Sequence, residues 1–171
     1  MSSQPAQRIT GLRVVRDAPL HIVLVEPQIP PNTGNVARLC AATGCALHLV
    51  EPLGFSVNDR ELKRAGLDYW NELGVVMHDS YGDFVRDTVG AARWYFSTRA
   101  QRRHDGAKYR HGDMLIFGKE TAGLPEATIS GNPARALRIP MRAGVRSLSL
   151  STAVGIAAYA ALGALKYPNL L

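Results

Sequence analysis

The segment LHIVLVEPQIPPNTGNVARLCAATGCALHLV, residues 20–50, opens on an unbroken apolar run, Leu20 to Val25, of the kind a parallel sheet buries on both faces. Glu26 to Asn35 follows, and its prolines, Pro27, Pro30 and Pro31, predict a loop in place of strand or helix. Val36, Leu39, Cys40 and Thr43 then fall at helical spacing, and Gly44 supplies the residue that closes a helix in the left-handed conformation. Ala46 to Val50 is a second apolar run. Strand, loop, helix and strand in that order make one unit of an α/β fold.

Further along, strand patterns recur at Val75 to His78, Trp94 to Ser97, Met114 to Phe117 and Leu137 to Ile139. Tyr81 to Val89 and Leu150 to Leu165 read as helices, and Asn58 or Asp59 caps a shorter one through Arg64 that stops near Gly66. The alternation predicts an α/β domain, residues 20–171, with a mainly parallel sheet flanked by helices, and a flexible basic arm over residues 1–19. Ligands of such sheets bind beyond the C-terminal ends of the strands. Three loops rich in Gly, Pro and polar groups fall there: Pro27 to Asn35, Gly118 to Pro125 and Pro140 to Ser149.

A length of 171 residues fits one domain. The longest uncharged run, Ser147 to Leu165, is punctuated by Ser, Thr and Gly, so a membrane span is not expected. The first 18 residues lack an apolar secretion core, which predicts a soluble, cytoplasmic protein. Cys40 and Cys45 have neither a C-x-x-C spacing nor a nearby His cluster and read as small core residues. His21, His48, His78, His104 and His111 are scattered without an H-x-x-x-H pair, so no metal site is expected.

The net charge of +6 is unevenly spread. Arg99 to His111 carries +4 and Arg135 to Arg146 another +4, which leaves the remaining chain slightly acidic. Two basic, glycine-containing loops on such a background point to a polyanionic partner, most simply nucleic acid. Ordinary nucleotide sites do not fit. Gly118-Lys119 lacks the upstream glycine and the following Ser or Thr of a P-loop, no G-x-G-x-x-G follows the first strand, and no G-x-S-x-G elbow supports a hydrolase triad.

The three loops do match a family. Pro30-Pro31-Asn32-Thr33-Gly34-Asn35-Val36-Ala37-Arg38, then Phe117-Gly118-Lys119-Glu120-Thr121-Ala122-Gly123-Leu124-Pro125, then Ile139-Pro140-Met141 through Ser147-Leu148-Ser149-Leu150-Ser151, resemble the three motifs of the SpoU (TrmH-like) branch of the SPOUT RNA methyltransferases. Glu51-Pro52-Leu53-Gly54-Phe55 and Leu62-Lys63-Arg64-Ala65-Gly66-Leu67-Asp68-Tyr69 look like the TrmL subgroup, small enzymes that 2′-O-methylate the tRNA wobble position. The resemblance runs from about His21 to Tyr167.

It implies a C-terminal trefoil knot, bound S-adenosylmethionine, a homodimer whose active site uses both chains, and a tRNA substrate, first of all leucine tRNA with cytidine or modified uridine as target. By motif position the cofactor contacts fall on Phe96, Gly118, Ile139, Ser147 and Leu148. Arg38 matches the arginine of the catalytic centre, with Asn35 one helical turn before it. Since a guanidinium stays protonated, Arg38 is read as a ligand for phosphate and developing alkoxide, and the proton acceptor is left open. Arg102, Arg103, Arg142 and Arg146 are candidate RNA contacts, and Tyr159 either reaches RNA or packs a dimer interface. Glu120 is read as holding loop amides or a facing arginine in preference to moving protons. Ser149 and Thr152 stand where the family and subgroup usually carry Asn. An rRNA 2′-O-methyltransferase and a noncatalytic RNA-binding module on the same fold are the alternatives.

Overall fold

The computed structural model describes residues 16–57 and 73–171. The helix expected from Asn58 or Asp59 and the stretch Leu62 to Tyr69 lie outside the described residues, as does the arm up to residue 15. Ala18 and Pro19 are already buried, and the Pro19 carbonyl accepts the Gly112 N–H at 2.8 Å.

Among the described residues seven strands, every pair parallel, form one sheet in the order β3-β2-β1-β6-β4-β7-β5. They are β1 (Leu20–Val25), β2 (Ala46–Val50), β3 (Val75–His78), β4 (Arg93–Phe96), β5 (Arg102–Arg103), β6 (Asp113–Phe117) and β7 (Ala136–Arg138). The helices are α1 (Pro30–Thr43), α2 (Tyr81–Asp87), α3 (Glu126–Ser130) and α4 (Leu150–Ala164). The period of two in the central strands divides their side chains between two cores. Leu20, Ile22, Leu24, Leu47, Leu49, Leu115 and Phe117 pack with α1 and α4 on one face; Val23, Val25, Val50, Tyr95 and Ile116 pack with Phe84 of α2 and Ile129 of α3 on the other. Both faces are covered, which is why β2 and β6 are buried along their whole length. Among the described residues no helix is long and apolar enough to cross a membrane.

Two readings of the chain are corrected. The prolines do not keep Pro30–Pro31 out of a helix, because they occupy its first two positions. Those positions have no intrahelical acceptor for an N–H, and proline's φ is already helical. The next two donors, Asn32 and Thr33, both turn back to the Ile29 carbonyl, at 3.1 and 3.4 Å. The basic segment after Arg99 is likewise not wholly loop. Arg102 and Arg103 form β5, paired with Leu137 and Arg138 at the sheet edge, their side chains exposed. Gly44 does close α1 in the left-handed region, at φ 72°.

Candidate active site

The strand order changes direction beside β1, which has β2 on one side and β6 on the other, and a cavity of about 690 Å³ opens nearby at the C-terminal ends of β4, β6 and β7. Phe96, Gly118, Ile139, Ser147 and Leu148 all line it. Phe96 and Phe117 end adjacent strands in direct register, and their rings stack at 4.7 Å and 15°. Met141 and Ala153 add apolar wall; Asn32, Ser97, Glu120 and Ser149 add polar groups, and Arg146 a charge.

Gly118 is fixed by close approach. A Cβ built there would fall inside the main-chain atoms of Gly123 and Leu124. The chain leaves β6, doubles back through Gly123 at φ 67°, and returns against its own start, with the Gly123 N–H donating to the Lys119 carbonyl at 2.8 Å. Only a residue without a side chain lets the backbone pass.

The loop made by that return grips the one after β1. The Glu120 carboxylate accepts the Gln28 N–H (2.8 Å), the Ile29 N–H (3.1 Å) and the Asn32 side-chain amide (3.2 Å). Asn32 in turn accepts the Ser151 hydroxyl of α4 at 3.2 Å. Lys119 pairs with Glu26 at 2.7 Å, and the Thr121 hydroxyl donates to the Gln28 side chain at 2.6 Å. Glu26 sits at φ 52°, a left-handed backbone costing a non-glycine residue about 1 kcal/mol, and its N–H reaches the Val50 carbonyl at 2.9 Å. Glu120 spends its lone pairs on fixed donors, which suits holding a loop better than exchanging protons. The carboxylate also places negative charge at the α1 N-terminus, where no side chain caps the helix.

Other candidates lie apart from the cavity. Arg38 and Asn35 are exposed on α1, one turn apart; neither lines the cavity, and neither has a side-chain partner among the described residues. Asn32, which the sequence reading quoted but did not single out, is the asparagine that reaches the site; it stands six residues before Arg38, and no local pattern separates it from Asn35. Arg142 is exposed on the loop after β7, and Tyr159 is 47% exposed on α4 with its ring 6.4 Å from Tyr167. Arg102 donates to the Ala134 carbonyl, and Arg103 grips Asp105 through two N–H groups, at 3.1 and 2.5 Å. Ser149, which does line the cavity, caps α4: its oxygen accepts the Thr152 N–H at 3.4 Å, with the two hydroxyls 2.7 Å apart. Both cysteines are free and buried, and burial pushes both thiols up. Among the described residues no group of three or more His, Cys, Asp or Glu is placed to hold a metal ion.

A family model, the SpoU rRNA methylase family, matches residues 19–159, a span that contains every loop of the cavity. The chain belongs to that family. Among SpoU methylases, it is similar to the Yersinia pestis protein named tRNA (cytidine(34)-2'-O)-methyltransferase, 46% identical over 158 residues, 89% of this chain and 98% of that one. The Escherichia coli K12 protein of the same name is 45% identical over 151 residues, covering 88% and 96%. A solved structure from work on the 2-OH methylation of C/U34 on tRNA is 48% identical with a TM-score of 0.82, covering 86% of this chain and 96% of that one. An AdoMet-bound rRNA methyltransferase from Sinorhizobium meliloti shares the fold alone, at 22% identity and a TM-score of 0.77 over 89% of this chain and 60% of that one.

Proposed function

We propose that this chain transfers the methyl group of S-adenosylmethionine to the ribose 2′-hydroxyl of the wobble nucleotide of a tRNA, cytidine or a modified uridine, with leucine tRNA the first candidate. The observation that carries the reading is the convergence of all three motif loops on one cavity at the C-terminal strand ends. The two relatives named tRNA (cytidine(34)-2'-O)-methyltransferase, each covered over nearly its whole length, support the tRNA wobble position as substrate.

The residues present fit the cofactor. A volume of about 690 Å³ lies in the range of small-molecule sites, roughly 300–1,000 Å³. The stacked Phe96 and Phe117, with Ile139, Met141 and Leu148, offer the apolar wall that a flat base requires, and the exposed Ser147 offers a hydroxyl. S-adenosylmethionine, when bound, supplies an electrophilic methyl carbon. The protein's share is alignment, which is worth several kcal/mol in displacements of this kind. Glu120 and Asn32 hold the loop after β1 against the loop after β6, so that the cavity wall is set before substrate arrives. Arg38 binds the phosphate beside the target ribose and stabilises the negative charge that develops on the 2′-oxygen as it attacks.

Arg38 lies on α1, off the cavity of its own chain, and this reading brings it to the reaction from a second copy. Exposed Ile156 (39%) and Tyr159 (47%) on α4, the helix that packs against α1, form the surface through which a homodimer closes. The dimer, a trefoil knot formed by threading at the Gly118–Gly123 crossing, and a cytoplasmic site of action belong to the same reading. Arg142 and Arg146, with Arg102 and Arg103 on the edge strand, contribute positive charge for the RNA backbone.

Arg38→Ala tests the assignment. Turnover should fall by about 10²-fold or more, the scale on which removing one group that stabilises developing negative charge acts, while S-adenosylmethionine affinity is kept. Turnover within a few fold of the parent would remove Arg38 from the reaction.

A further inference from the structure

Three histidines far apart in the chain meet in a row. His21 Nδ1 lies 2.9 Å from His48 Nε2, His48 Nδ1 lies 3.0 Å from His78 Nε2, and His78 Nδ1 lies 3.4 Å from Asp87 Oδ2. Strand register builds it. Val23 is opposite His48 and Val50 opposite His78, so each step from β1 to β2 to β3 moves two residues along and keeps the same face of the sheet. The His48 and His78 rings are parallel at 8°, and Phe84 of α2 stands edge-on to both. The row thus joins the edge strand β3 and helix α2 to the middle of the sheet.

Proton counting restricts its states. Each N···N contact holds one hydrogen, and Asp87 requires one on His78 Nδ1. Three neutral imidazoles carry three protons, and a single arrangement satisfies all three contacts: every ring protonated on Nδ1 and donating toward Asp87. His21 Nε2 is then the one open nitrogen, and one added proton sits there, or its charge shifts along the row, with no hydrogen bond lost. A second added proton has no place, because it would put two hydrogens into one contact.

We propose that His21, His48 and His78 form an acid-sensitive latch, which closes β3 and α2 onto the sheet, stores one proton intact, and opens when a second is forced on. The charges around it are few. Among the described residues Asp79, Asp83 and Asp87 face His78; His111 faces His21; Arg93 lies over the Phe84 ring at 5.5 Å; and the titratable groups facing His48 are His21 and His78, with the Phe84 ring beside it. Burial lowers the pKa of all three, furthest for His48, and at His78 it outweighs the pull of Asp87. The folded values lie below the ordinary 6.5, so the opened form takes up protons first and the latch weakens as pH falls below that value.

The test uses the full chain labelled with ¹⁵N-histidine. Near neutral pH all three rings should show the Nδ1–H tautomer, with ¹⁵N–¹⁵N couplings across the two inter-ring hydrogen bonds. Once the closed row holds its stored proton, amide exchange over residues 75–87, corrected for intrinsic rates, should quicken by more than tenfold and up to about 100-fold per pH unit as pH falls, the limit being an opened form with all three rings charged against the one proton of the closed row. His48→Gln, which breaks the row without a titrating ring, should bring that slope below tenfold per unit. An Nε2–H tautomer at His48, three independent titrations in the folded protein, or a slope unchanged by His48→Gln would overturn the latch.

Discussion

Gly118→Ala is the substitution whose cost the geometry defines most closely. The new Cβ would overlap main-chain atoms of Gly123 and Leu124, none of which can swing away as a side chain does. Carbon atoms pack at about 3.5–4.0 Å, so the return strand of the loop must retreat by roughly 1.5 Å. Overpacking of this kind costs about 1–3 kcal/mol. The retreat also strains the Gly123–Lys119 hydrogen bond and the three bonds to Glu120, each worth about 1 kcal/mol. We expect a total near 3 kcal/mol, a fall in Tm of about 6–12 °C for a chain of this length. Cofactor affinity should drop at least tenfold, because the loop that moves is cavity wall. Gly106→Ala is the control: no atom lies within 4 Å of its Cβ position, its φ is not positive, and the change should stay within about 0.5 kcal/mol. Denaturant unfolding and calorimetric titration with S-adenosylmethionine read both quantities. A Gly118→Ala protein as stable as Gly106→Ala, with parental affinity, would refute the crossing as the origin of the cavity wall.

Further outcomes follow from the same geometry. Glu120→Gln leaves one acceptor oxygen for three donors, and should cost about 1–3 kcal/mol by denaturant unfolding and weaken S-adenosylmethionine binding; an effect under 0.5 kcal/mol would mean the loops are held elsewhere. Asn32→Ala removes the link between Glu120 and Ser151 and should lower cofactor affinity more than Asn35→Ala, measured side by side. Arg102→Ala with Arg103→Ala should reduce the salt slope of tRNA binding by at most about 2, and by less to the extent that Asp105 already neutralises Arg103; an unchanged slope would take the β5 edge out of the RNA surface.

Much of this fold could be read locally. Apolar runs with no polar alternation gave the central strands, because a sheet covered on both faces needs no polar side, and Gly44 marked the end of α1 because few residues tolerate φ 72°. Elements held by distant partners were less legible. Arg102–Arg103 is a strand only because Leu137 and Arg138 offer it a ladder, and two arginines carry no strand pattern of their own. The Pro30–Pro31 pair reads as a breaker or as a helix start according to what lies on its N-terminal side, and here the Ile29 carbonyl and Glu120, 91 residues downstream, settle it. The residues that line the cavity were legible only through the resemblance of the three motifs to a family, whereas Asn32 and Asn35 share one motif and only helix phase tells them apart. The histidine row had no local signal, since its members are 27 and 30 residues apart and strand register alone brings them together.

Methyl transfer to the wobble ribose is measured directly by following labelled methyl from S-adenosylmethionine into unmodified total tRNA and mapping the nucleosides. The expected product is 2′-O-methylcytidine or a 2′-O-methylated uridine at the wobble position. Measurable cofactor binding with no label in tRNA, or label at another position or in rRNA, would contradict it.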